Sequence, residues 1–185
     1  MKRKITVPLT PDVVNSLKAG DIVEITGTVY TARDAAHKRM ISLLNEGKPL
    51  PFSPEGQVIY YVGPCPAPEG KVIGSAGPTT SGRMDKYTPA LIKSGISGMI
   101  GKGMRDENVI RTMIEHGAVY FGAVGGTAAL ISKCIKSQKV IAFEDLGTEA
   151  VRILEVIDFP AVVLIDRYGN NLYETGRQKY TVKNE

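Results

Sequence analysis

The sequence predicts a mixed α/β fold, and three observations carry that prediction. Strand-like and helix-like segments alternate through the N-terminal part of the chain, the order that builds parallel strands with helical crossovers. The C-terminal part instead offers strand-like pieces separated by tight turns, as antiparallel neighbours would be. No fixed repeat and no shift in composition marks a second unit. Residues 1–185 are therefore expected to form a single domain, with a polar tail that frays from about residue 175.

Taken in order, residues 5–9 form a first strand, and Pro11 opens a short helical turn with Thr10 as its N-cap. Gly20 ends that turn, and residues 21–30 alternate as a strand does. A helix follows, with Met40, Leu43 and Leu44 at helical spacing and Gly47 as its stop. Arg33, Asp34 and His37 stand near its start. Arg33 and His37 share a face, Asp34 suits the positive end of the helix dipole, and the plain reading of the cluster is a solvated first turn.

Residues 49–57 are a proline-rich loop, 58–62 a strand, and 63–83 a second long loop with a short strand at 71–73. A helix over 84–94 stops at Gly95, and a short strand over 97–100 delivers Lys102. Asp106 caps the next helix, whose buried stripe is Val109, Ile110, Met113 and Ile114 and whose end is Gly117. Residues 118–124 form a near-continuous apolar run, as a buried strand would. One or two helical turns over 127–136 follow Gly125 and Gly126. Residues 140–145, 150–156, 159–166 and 170–175 finish the chain as strands, with a hairpin turn at 166–170.

The 185 residues are 43% hydrophobic and 23% charged, ordinary for a globular protein. The net charge of +4 suits an anionic substrate, but apart from Lys2, Arg3 and Lys4 the cations are dispersed, which argues against nucleic acid. No apolar run is long enough for a membrane span, and Pro8 and Pro11 interrupt any signal-like segment. Two cysteines, Cys65 and Cys134, make no disulfide framework and are too few to hold an iron–sulfur cluster, so no metal is expected in this chain. A reducing, cytoplasmic setting is expected.

The stretch at 77–103, GPTTSGRMDKYTPALIKSGISGMIGKG, concentrates hydroxyls and cations beside glycine, as an anion site requires. It is not a phosphate loop: a P-loop needs glycine where Ile96 stands and Ser or Thr where Gly103 stands. The glycines at 122–126 lack the rest of a dinucleotide fingerprint. His37 and His116 have no zinc-ligand spacing, and His116 reads as a helix C-terminal residue.

GPTTSGRMDKYTP followed by IGKG resembles the beta-subunit signature of the iron–sulfur hydro-lyases, the family of class I fumarase and L-tartrate dehydratase. TARDAAHKRM is similar to the family's other signature, and GAVGGTAAL, EDLGTEA and DFPAVVLID match its C-terminal half. The likeness extends from about residue 21 to 173. It implies a swivelling β/β/α domain, a mixed sheet with flanking helices. It also implies an alpha subunit whose three cysteines hold a [4Fe–4S] cluster with one open iron, a Lewis acid for the departing hydroxyl. By matching phrases, Arg33, Arg83, Lys102 and Thr79 carry over as substrate-binding residues, and Thr79 and Lys102 as catalytic ones. Asp34 and His37 are carried over as supporting residues. The implied reaction is the reversible dehydration of a small dicarboxylate, foremost malate to fumarate in the tricarboxylic acid cycle. L-tartrate or a related hydroxy acid is the alternative within the family, and a non-catalytic anion-binding module is the alternative outside it. An α2β2 heterotetramer is implied, and the isolated chain is expected to self-associate through the surface meant for its partner.

Overall fold

The computed structural model describes residues 2–123 and 128–178. Strands β1 (Arg3–Val7) and β2 (Ile22–Thr31) are parallel and are joined through the short α1 (Pro11–Ser16). The Thr10 hydroxyl accepts from Val13 N at 3.4 Å, as its N-cap position requires. Helix α2 (Asp34–Asn45) returns the chain to β3 (Val58–Tyr60), again parallel to β2. The pattern continues through α3 (Thr88–Lys93), β4 (Gly98–Gly101), α4 (Glu107–His116) and β5 (Val119–Gly122), with β3, β4 and β5 all parallel. Asp106 caps α4 by accepting from Val109 N at 2.7 Å, and Gly117 ends it at φ 73°, the left-handed stop that glycine supplies. After α5 (Ala128–Cys134), β6 (Ile135–Ala142) and the long β7 (Val151–Ile165) are antiparallel, and α6 (Leu172–Gln178) follows.

Strand β7 organises the sheet. It pairs antiparallel with β2 from Thr31↔Arg152 to Ile22↔Val162, then with β5 from Gly122↔Val162 to Tyr120↔Ile165. The pairings β2–β3–β4–β5–β7–β2 therefore form a closed circuit, with β1 and β6 added outside it. Closure encloses one face: Val58, Tyr60, Ile100, Val119, Phe121, Phe159 and Val163 belong to one buried cluster. The alternate residues Ile59, Tyr61, Met99 and Tyr120 pack instead with Met40 of α2, Leu91 of α3 and Met113 of α4. With both faces covered, these strands read as unbroken apolar runs.

Several elements differ from the sequence expectation. Residues 150–156 and 159–166 are one strand rather than two. It bends at Asp158, whose φ is 50°, where pairing with β2 shifts register between Ile25 and Gly27 and Asp158 N donates to Thr26 Oγ1 at 3.1 Å. The turn at 166–170 is present, its Asp166 carboxylate accepting from Tyr168 N (2.9 Å) and Asn170 N (3.1 Å), but it leads into α6 rather than a strand. Asn171 starts that helix by accepting from Tyr173 N at 3.1 Å. Residues 71–73 are not a strand, and 144–149 form a 3₁₀ segment. The helix expected over 84–94 is divided into a 3₁₀ turn, Ser81–Met84, and α3, because Pro89 belongs in a first helical turn. The expected turns over 127–136 end at Cys134, where β6 takes over. The part of the tail over 179–185 and the glycines at 125–126 lie outside the described residues. No helix among those described is long and apolar enough to cross a membrane.

Candidate active site

Because β2, β3 and β4 run parallel, their carboxyl ends lie at one rim, where α/β sheets characteristically bind ligands. Arg33 and Asp34 follow β2 directly, and Lys102 follows β4. The long loop after β3 returns to the same rim. Thr79 N donates to Tyr61 O at 2.8 Å, Thr80 forms a bridge pair with Lys102, and Ser81 N donates to Lys102 O at 2.9 Å. Five residues singled out by sequence thus converge from three separate segments.

Arg83 is the hub of this cluster. Its Nε lies 3.0 and 3.3 Å from the two carboxylate oxygens of Asp34, and its Nη2 donates to Asp34 Oδ2 at 3.1 Å and to Thr79 Oγ1 at 2.9 Å. Partial burial works to raise the Asp34 pKa, but the Arg83 hydrogen bond, its own amide and the two arginine charges outweigh that and hold it below the usual value. Arg33 sits 3.7 Å from Glu149 Oε1, its Nε buried without a partner. The Arg33 guanidinium lies against Gly63, where a Cβ would come within 2.5 Å of Nη1. Glu149 also accepts from Ala35 N at 2.9 Å, so one carboxylate serves both the N-terminus of α2 and Arg33. The Lys102 side chain is exposed and has no ion-pair partner among the described residues. Arginine and lysine are the side chains whose chemistry suits a carboxylate, arginine as a bidentate fork and lysine as a compact charge. A cavity of about 630 Å³ opens at the opposite rim beside Leu9 and His116, away from these groups.

His37 corrects the expectation of a solvated first turn, because it is fully buried. Its Nδ1 lies 2.8 Å from Arg33 O and must carry the proton, since a carbonyl only accepts. Nε2 is then an acceptor, buried without a partner. Burial pushes the imidazole down from 6.5 to about 4, against a smaller upward pull from the Arg33 carbonyl, and Arg105 adds to the depression. His37 therefore holds the backbone of Arg33 as a neutral group. The unfolded chain takes up this proton near 6.5 and the folded one near 4, so stability is full above pH 6.5 and falls as pH drops toward 4. The loss expected from this group is on the order of 3 kcal/mol. Urea titrations across pH 4–7 check it, and His37→Gln should flatten that part of the profile.

Glu149 and two buried side chains behind the rim, Tyr120 and Arg105, are not singled out by the sequence. A separated acid and an isolated arginine carry no local signal of partnership. The donor set for a cluster of iron and sulfur is absent from what is described. Cys65 is exposed in the loop after β3, whereas the Cys134 thiol faces Leu130 O and Asp158 O at 3.8 and 3.7 Å. Two thiols on separate elements do not fit such a cluster, and no grouping of three metal-binding side chains occurs among the described residues.

Fold and rim together define an α/β protein that gathers arginine and lysine side chains and a threonine hydroxyl at the ends of its parallel strands. A family model, Fumarase C-terminus, matches residues 2–176. Fumarate hydratase 2 of Leishmania major is 42% identical over 156 residues, covering 83% of this chain and 28% of that protein. The anaerobic class I fumarate hydratase of Escherichia coli is 41% identical over 154 residues, covering 82% and 28%. The "Putative L(+)-tartrate dehydratase subunit beta" of Methanocaldococcus jannaschii is 40% identical over 177 residues, covering 92% and 91%. The chain belongs to the fumarase C-terminus family. It spans about 28% of the length of those fumarate hydratases and nearly all of the tartrate dehydratase subunit.

Proposed function

We propose that this chain is the beta subunit of a hydro-lyase that reversibly hydrates a small dicarboxylate, foremost fumarate to malate. The observation that carries the reading is the hydrogen-bonded run Asp34–Arg83–Thr79 next to the Lys102 segment, in a chain of this family. Arg33, Arg83 and Lys102 bind the substrate carboxylates. Proton loss beside a carboxylate moves charge onto that carboxylate, where fixed cations stabilise the transition state more than the ground state. Arg83 donates to Thr79 Oγ1, which favours the alkoxide and suits that oxygen to hold or pass the proton. Asp34 orients Arg83, and His37 orients the backbone of Arg33.

A [4Fe–4S] cluster, in this reading, belongs to an alpha subunit with three suitable cysteines, since this chain's own thiols do not fit it. The same reading gives a single domain over residues 1–185, an α2β2 assembly and a cytoplasmic location. The near full-length match to a tartrate dehydratase subunit favours L-tartrate as the second substrate to test. Anaerobic co-production with the alpha partner, followed by assays on fumarate, L-tartrate and mesaconate, decides between them. The complex should turn over fumarate or tartrate, and this chain alone should turn over neither. Activity without the partner, or none with it, would overturn the proposal.

A further inference from the structure

Behind the rim, Arg105 has no solvent-exposed side-chain surface. Its Nε donates to Asp85 Oδ1 at 2.7 Å, Nη2 to Thr88 Oγ1 at 2.7 Å and Nη1 to the Tyr61 hydroxyl at 3.2 Å. The guanidinium lies between the rings of Tyr61 and Tyr120, 5.2 and 5.1 Å from their centroids. Asp85 uses its other oxygen to accept from Asp106 N at 2.8 Å. Such a pair contributes little net stability over an apolar packing, because both charges leave water. What it does supply is fixed geometry.

Its position in the chain shows what is fixed. Asp85 stands two residues after Arg83, and Arg105 three residues after Lys102. The pair ties the downstream flanks of the two substrate-facing segments to each other. Tyr120, from β5, makes a second tie: its hydroxyl is 2.8 Å from Ser81 Oγ and 2.9 Å from Gly103 O. The carbonyl takes the phenol's one proton, so Ser81 donates in return. Burial raises the Tyr120 pKa and keeps that proton in place. Gly103 N is held from the far side by the Tyr173 hydroxyl at 3.1 Å.

We propose that Arg105, Asp85 and Tyr120 form a positioning clamp that sets the distance between the 79–83 turn and Lys102, and so how closely the site fits the dicarboxylate bound between them. This rests on the hydro-lyase reading of that site. A clamp of this kind acts through alignment, where about 1 Å of misplacement costs about a hundredfold in rate.

The test uses Tyr120→Phe, which keeps the ring and removes both ties, and Arg105→Lys, each assembled with the alpha partner. A protein that merely loses folded fraction slows on every substrate alike. A misaligned clamp instead changes the ratio of kcat/KM between fumarate and the bulkier mesaconate, by about threefold or more, with kcat/KM on fumarate down about tenfold or more. Parallel losses on both substrates, or kcat/KM within twofold of the parent protein, overturn the proposal. Amide NMR on the free full-length chain is the readout independent of turnover. Tyr120→Phe should move the signals of Thr79, Ser81, Arg83, Lys102 and Gly103 and leave those around Asn15 in place. If the parent complex turns over no dicarboxylate, the hydro-lyase reading fails and this arm decides the clamp by itself; unmoved signals overturn it.

Discussion

Arg83→Ala should lower kcat/KM of the assembled enzyme by about 10²–10³ while leaving thermal stability almost unchanged. The two halves of that expectation come from the same geometry. Arg83 uses Nε and Nη2 to hold Asp34 and Thr79 at once, so its loss removes a cation from the substrate carboxylates and a donor from the Thr79 oxygen. The Arg83 and Asp34 side chains are nonetheless 46% and 38% exposed, and ion pairs that wet contribute only about 0–1 kcal/mol. Arg83→Lys is the sharper variant. A lysine keeps the charge, but its compact ammonium does not reproduce the planar fork that meets a carboxylate and a hydroxyl together. Less than tenfold recovery by lysine is expected. Steady-state kinetics with a melting curve on each variant checks this, and near-normal turnover of either one would remove Arg83 from the site.

The rim residues were legible in the sequence because each is local: Arg33 and Asp34 open a helix just after a strand, and Lys102 sits between glycines at a strand end. Their convergence was legible only through the resemblance of several phrases in order, since nothing in the spacing of 33, 79, 83 and 102 brings them together. His37 was misplaced for a related reason. Its neighbours Lys38 and Arg39 are charged, and the burial of the imidazole follows from Tyr61, just past β3, packing edge-on against it at 5.3 Å, a tertiary fact. The fold was legible where both faces of a strand are apolar, as over 118–122. It was misread at 157–158, where the expected break between two strands is a bend at Asp158 within one strand, and at 170–175, where Asn171 is a helix cap rather than part of a strand. Arg105 shows the limit most plainly. A lone arginine after a strand has no sequence mark that separates a solvated cation from one enclosed by two tyrosines.

Gly101→Ala should also be severe, for a steric reason alone. Gly101 ends β4 in ordinary extended backbone, so an added methyl meets no conformational penalty. It does meet Ser81 Oγ far inside contact distance, and Tyr61 Cδ2 at 3.0 Å. The serine hydroxyl can rotate away only by giving up its 2.8 Å contact with Tyr120, and the Tyr61 ring is fully buried and held by Arg105 at 3.2 Å. Overpacking of this kind costs about 1–3 kcal/mol, and the displaced 79–83 turn should lower kcat/KM about a hundredfold. The double variant Gly101→Ala/Ser81→Ala separates the two effects. Without Oγ, the nearest atom of residue 81 is its Cβ, 3.4 Å from the added methyl, which is within ordinary contact. Stability should therefore return in part, with the 3.0 Å approach to Tyr61 Cδ2 still present, whereas activity should not, because the tie from residue 81 to Tyr120 is gone. The two substitutions should be non-additive in melting temperature, as contacting residues are. Additive melting shifts, or activity that recovers along with stability, would mean that Gly101 is small for some reason other than the approach of Ser81.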